Sequence, residues 1–260
     1  MGLIAWRLSE VKFITPDIMI DLWVLFAVIY GVQSYQSWKV NREVVLEKKH
    51  YPPSDRYAIS QVFLLGLAYI SSFGSELAVV SMLPEFFQKT FNLDYTLAGL
   101  SASCYPMINL IARPAGGVIC DKVGSRKWSL TLLLGGVGLS YFIVSQINAS
   151  WPLGLAIGTL MFSALFVCAG AGATFGIAPL LQRRVTGQIA GMIGAYGSVG
   201  SVFYAVLYST LPSTPFGNMQ FFQCLGIMSM MTAFLCAFCL KEPMIKAAPV
   251  GEEDVVVLAH

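Results

Sequence analysis

The feature that most constrains this chain is the alternation of long apolar runs with short connectors that carry nearly all of its charge. A run of about 20 apolar residues crosses the hydrocarbon layer of a bilayer as an α-helix, which pairs its backbone groups within the segment. Of 260 residues, 56% are hydrophobic and 12% charged, against about 25% charged in a soluble domain. The pattern predicts an all-α polytopic membrane protein with seven spans, at 18–36, 57–84, 95–119, 127–147, 152–182, 187–211 and 219–240. Four parts follow: a lone transmembrane helix (1–38), a basic loop (39–56), a six-helix bundle (57–240) and a tail (241–260).

Lysine and arginine set the orientation, because they collect on the cytoplasmic side. Alternate connectors hold Lys39, Arg42, Lys48, Lys49 and Arg56, then Lys122, Arg126 and Lys127, then Arg183 and Arg184, then Lys241 and Lys246, twelve in all. The opposite side holds three, Arg7, Lys12 and Lys89. The tail is therefore expected in the cytoplasm and the chain in the plasma (inner) membrane. The opening run lacks a small-residue cleavage site, so it reads as a span and not a signal peptide.

Several function classes drop out. A net charge of +2 makes no case for nucleic acid. Cys236 and Cys239 have the spacing of half a zinc site but no second pair, and the histidines, His50 and His260, fall outside the spans; no metal or cofactor is expected. An intramembrane hydrolase would need a nucleophile and base at depth, so no enzyme is predicted. A seven-helix receptor has the right span count, but a retinal protein would need a buried lysine, and every lysine here lies in a loop or tail.

Arg113 is the exception, a cation inside the third span. A charge at that depth costs about 3 kcal/mol on insertion scales and usually faces a cavity or a partner. Its guanidinium can donate two parallel hydrogen bonds to an oxyanion, and Asn109, one turn away, lies on the same face. Snorkelling to the cytoplasmic surface and an ion pair with Glu76 are the competing roles. Tyr69 and Phe73, four residues apart, project from one face and suit either a flat anion or ordinary packing. Glu76 is the one carboxylate deep in a span, open to proton coupling, to pairing with Arg113, or to capping an outer cavity.

Further on, Gly187, Gly191, Gly194, Gly197 and Gly200 recur every three or four residues. They form a stripe on which another helix can close or where an anion can approach bare backbone, Gly191 and Gly194 above all. The run 169–173 offers the stripe a partner surface. Pro106, Pro114 and Pro179 predict kinks. The connector Gly117-x3-Asp121-x2-Gly124-x-Arg126-Lys127 is a tight polar turn in which Asp121 is expected to cap a neighbouring helix, such as the one starting near Gly187.

That connector resembles the loop motif of the major facilitator superfamily, and the upstream Ala112-Arg113-Pro-Ala-Gly-Gly resembles the nitrate/nitrite porter family within it. Tyr69-x3-Phe73-Gly74-Ser75, the run from Ala169 to Gly176 and the run from Gly187 to Gly200 are similar to that family's seventh-, tenth- and eleventh-helix segments, and the wording is closest to cyanobacterial-type members. The resemblance implies secondary transport of nitrate and nitrite. It places Arg113 as a substrate-binding arginine, Tyr69 and Phe73 as aromatics that sandwich the anion, and the Asp121 loop as a gating clasp. It equates the seven spans with helices six to twelve, so a fragment is expected, with an N-terminal half on the same or a separate polypeptide. Ser198 stands where many members have Asn. Another small anion is the alternative substrate.

Overall fold

The computed structural model describes residues 16–46, 56–212 and 214–242, and every regular element among them is helical. Tail residues 243–260 with Glu252, Glu253 and Asp254, the Pro52-Pro53 pair, Arg7, Lys12, Lys48, Lys49, Lys246, His50 and His260 lie outside the described residues. The chain divides into two units, 1–56 and 57–260.

Among its described residues the first unit contains one long helix, α1 (Pro16–Val45). It extends past the expected end of the first span and carries Lys39 and Arg42 as helix, not loop. Nothing breaks it there, since Lys, Arg and Glu are good helix formers without being apolar.

The second unit opens with a helical rod over Ile59–Phe91. It comprises α2 (Ile59–Tyr69), a π-helical segment (Ile70–Gly74) and α3 (Ser75–Phe91). The rod passes through Pro84, where the sequence suggested an end, and stops at Asn92, whose φ of 52° turns the chain out of the helix. The π turn has a local cause in Ser71, Ser72 and Ser75. Ser72 Oγ donates to the Ala68 carbonyl at 2.8 Å, and Ser75 Oγ donates to the carbonyls of Ser71 and Ser72 at 2.7 and 2.8 Å. Such back-bonding competes with the regular ladder and bends helices. Tyr141 Oη donates to Ser75 Oγ at 2.9 Å from a fully buried position, so Tyr141→Phe is expected to cost about 1 kcal/mol of stability, read as a lower unfolding temperature in detergent.

The third expected span is two helices, α4 (Tyr95–Met107) and α5 (Asn109–Lys122), separated at Ile108. Pro106 and Pro114 flank the break, and each removes a ladder bond. No break occurs at Pro179, which sits near the end of α7 (Leu153–Leu181). Then come α6 (Arg126–Val144), α8 (Thr186–Thr210), preceded by a 3₁₀ turn (Arg183–Val185), and α9 (Pro215–Cys239). Side chains cap three of the helix starts, those of α4, α6 and α9. The Asp94 carboxylate accepts from Thr96 N–H at 3.2 Å before α4, and Thr214 Oγ accepts from Gly217 N–H at 3.3 Å at the start of α9.

Among the described residues five helical stretches are long and apolar enough to cross a membrane: Ile59–Phe91, Arg126–Val144, Leu153–Leu181, Arg183–Thr210 and Pro215–Cys239. The two other expected spans, on α1 and on the broken α4–α5, are not among them.

Packing is tightest where side chains are smallest. A Cβ on Gly116 would fall on the carbonyl of Ala169, and a Cβ on Gly172 on the carbonyl of Arg113. The run 169–173 therefore packs backbone to backbone against α5, and not against the glycine stripe of α8. That stripe divides. Gly197 closes on the rings of Tyr69 and Phe73 and Gly200 on Ile70, whereas Gly187, Gly191 and Gly194 have open space above them. Small residues let helix backbones approach this way in lipid.

Two apolar clusters fill the bundle. One gathers Phe86, Phe87, Tyr105, Tyr141 and Phe222, and the other Leu65, Tyr69, Leu130, Ala171 and Cys236. Between them lies a polar layer.

Candidate functional site

The polar layer is built where the π turn faces α5. Arg113 Nη2 donates to Glu76 Oε2 at 2.8 Å, and Asn109 Nδ2 donates to Glu76 Oε1 at 2.6 Å. Each carboxylate oxygen thus takes one donor from successive turns of α5. The Glu76 side chain is 5% exposed and that of Arg113 35%, so the pair is sealed on one side and open on the other. Arg113 Cζ stands 5.3 Å over the Phe73 ring, a cation–π contact. Tyr69 and Phe73 stack at 4.8 Å with planes 9° apart, and Phe175 of α7 meets Tyr69 edge-on at 4.9 Å. Close contact of Gly116 and Gly172 across α5 and α7 fixes the depth of Arg113, and Gly197 lets α8 lie flat against the two rings.

Two buried polar atoms here have no partner, Arg113 Nε and Asn109 Oδ1. One is a donor and one an acceptor, and a buried group of either kind is costly to leave unpaired.

The structure therefore brings together Arg113, Asn109, Glu76, Tyr69 and Phe73. The arginine does not snorkel; it takes the ion pair. The two rings stack face to face at a spacing with no room for an anion between them, and Phe73 offers its face to the guanidinium. Gly191 and Gly194 are not packed into this cluster. Gly197 is, and so is Phe175, two positions that need the crossing of α8 and α7 with the π turn to be found. Among the described residues no group of three or more His, Cys, Asp or Glu gathers that could hold a metal.

At the connector, Asp121 does not cap a neighbouring helix. Its Oδ1 accepts from Arg126 Nη2 at 2.8 Å and from Nε at 3.2 Å. Gly124, at φ +78°, makes the turn, where a side chain would be strained. The capping carboxylate belongs to Glu242, beyond α9. It accepts from Ser125 Oγ and Arg126 N–H at 2.7 Å each and from Lys127 N–H at 3.3 Å. The positive end of the α6 dipole favours a carboxylate there. Gln61 holds the same segment, accepting from Lys241 N–H at 2.8 Å and donating to the Cys239 carbonyl at 3.2 Å. Glu242→Ala is expected to lower stability by about 1 kcal/mol, seen as earlier thermal unfolding. A Cβ on Gly117 would meet open space, and Lys127 lies 5.6 Å over the Trp128 ring.

A bundle of membrane-length helices around a buried ion pair is the architecture of a multi-pass membrane protein. The chain belongs to the Major Facilitator Superfamily, whose model matches residues 65–257. It is 48% identical over 256 residues to the nitrate/nitrite transporter NrtP of Nostoc punctiforme, covering 98% of this chain and 50% of that protein. It is 46% identical over 251 residues to NrtP of a Picosynechococcus species, with 92% and 47% covered. The high-affinity nitrate transporter 2.3 of Oryza sativa subsp. japonica is 28% identical over 236 residues, with 85% and 45% covered. The chain spans about half the length of these relatives. They are named as transporters and not as enzymes.

Proposed function

We propose that this chain is the C-terminal bundle of a secondary transporter of nitrate and nitrite. In this reading its seven spans match helices six to twelve, and the other pore wall comes from an N-terminal half on the same or a separate polypeptide. The names of the two cyanobacterial relatives support the substrate. The observation that carries the site is Arg113, a planar guanidinium fixed on an aromatic face, one-third exposed, with an unpaired Nε. Nitrate is planar, monovalent and weakly hydrated, so it loses little in exchanging water for a guanidinium beside rings. Asn109 stands one turn away as a second donor, Tyr69 and Phe73 form one aromatic wall, and Gly191 and Gly194, with nothing above them, give the anion access to backbone. Glu76 is the candidate for proton coupling. The lysine and arginine count supports a cytoplasmic C-terminus and a plasma-membrane location.

Calorimetric titration of the purified chain in lipid nanodiscs with nitrate, nitrite and chloride tests this. Saturable binding of the first two, with chloride far weaker, is the expected result. Equal binding of all three would replace nitrate and nitrite with small anions in general.

The Asp121 loop acts in this reading as a clasp that biases one conformation. Asp121→Asn releases Arg126 and is expected to shift the inward/outward balance without abolishing anion affinity. Thiol accessibility in the intact transporter checks this; an unchanged pattern would reject a gating role.

A further inference from the structure

Glu76 occupies Arg113 in the way a small planar oxyanion would. Its two oxygens lie in one plane, one on the guanidinium at 2.8 Å and one on the Asn109 amide at 2.6 Å. Those are the two donors assigned above to the transported anion. The site is thus filled from within by a side chain carrying one negative charge. Phe73 under the guanidinium and the packing of α5 on α7 restrict the directions in which Arg113 can turn away to find a second partner.

Charge bookkeeping then limits what a ligand can do. Arg113 and Glu76 together are neutral. An anion that displaced an ionised Glu76 would leave two negative charges against one positive in a layer closed on one side, and an unpaired carboxylate 5% exposed. Uncompensated buried charge is strongly disfavoured, and a carboxylate escapes it by taking a proton. The oxyanion then pairs with Arg113, Glu76 becomes a neutral acid, and the layer's net charge is unchanged. The proton comes from water on the open side.

We infer that Glu76 is an internal plug of the anion site, so that each monovalent oxyanion binds together with one proton. This rests on the anion-site reading above and adds a regulation to it. The groups around Glu76 leave it as the one that titrates. Arg113 of α5 is its ion-pair partner, and the others are the phenols of Tyr69, Tyr105 and Tyr141 from α2, α4 and α6 and the thiol of Cys168 on α7. From α8 the Tyr204 phenol lies beside Tyr141, and from α9 the Thr232 hydroxyl pairs with Ser71 of the π turn. None of these changes charge in the range where a carboxylate does.

The test uses the purified full chain in weakly buffered nanodiscs with potassium nitrate as the probe. Proton uptake is followed by a pH-sensitive dye and binding by calorimetry. About one proton should enter per nitrate bound once Glu76 is ionised in the empty site, with the apparent Kd rising about tenfold per pH unit there. Infrared difference spectra should gain a protonated carboxyl band on nitrate addition. Glu76→Gln, which keeps shape and removes the charge, should bind nitrate with no proton uptake and no slope with pH. Nitrate binding by the unaltered chain without proton uptake would overturn the plug and leave the Arg113 site standing. Absence of nitrate binding in both proteins would overturn the anion site itself, and the plug with it. Should Glu76→Gln fail to fold, the infrared band of the unaltered chain decides: present, it supports the plug; absent on a nitrate-saturated sample, it refutes it.

Discussion

Arg113→Lys is expected to weaken nitrate binding about 10- to 100-fold while leaving the chain folded. Lysine keeps the positive charge, so the pairing with Glu76 persists and the fold loses little. What disappears is geometry. The guanidinium presents several N–H groups in a rigid plane, so the Nη2 that Glu76 vacates and the unpaired Nε can hold one planar anion together. An ammonium is a point donor on a flexible stem and stacks poorly on Phe73. Losing one charge-assisted hydrogen bond costs about 1.5–3 kcal/mol, which gives that fold-change. Calorimetric Kd values for the two proteins, beside their unfolding temperatures, check it. Equal affinity would remove Arg113 from the site. Arg113→Ala separates pairing from binding. It leaves Glu76 buried without its cation, a loss of about 3–5 kcal/mol in comparable cases, and Glu76→Gln in the same protein is expected to restore much of that stability but none of the nitrate affinity.

Gly172→Ala is expected to damage the bundle more than its one added carbon suggests. The new methyl group would fall on the Arg113 carbonyl oxygen, a backbone atom with no rotamer to change. Overpacking costs about 1–3 kcal/mol where side chains can adjust and more where they cannot, so about 3 kcal/mol or more is anticipated, read as thermal unfolding in detergent. The shift required of α5 would also carry Arg113 away from Phe73, so nitrate binding should fall with stability. Gly187→Ala and Gly117→Ala, which meet open space, are the controls and should leave both nearly unchanged. A silent Gly172→Ala would mean that α5 and α7 stand further apart than the contact at Arg113 requires.

Much of the site was legible along the chain because its chemistry is rare in hydrocarbon. A lone arginine, a lone deep carboxylate and an Asn one turn away can be picked out by cost alone, and helical spacing puts Asn109 and Arg113 on one face. The pairing of Glu76 with both was one of several options, since 33 residues separate it from Asn109 and no local rule measures that distance. The π turn was missed although three serines within five residues announce it, because a hydroxyl's choice between solvent, neighbour and its own backbone depends on what surrounds it. The role given to Asp121 passed to Glu242 for a similar reason: both are carboxylates at the same end of the bundle, and only the folded path of the segment after α9 brings Glu242 to the start of α6.

Composition and periodicity alone determined that this is a helical membrane chain with one costly cation and a glycine-rich second half, because bilayer insertion acts on each segment by itself. Tertiary structure alone decided which glycines touch, that the stacked rings of Tyr69 and Phe73 exclude an anion from between them, and that Glu76 already occupies the donors of Arg113 and Asn109. Those outcomes depend on how helices cross and on the extra residue in one turn, quantities of a few ångströms that arise only when the segments pack against one another.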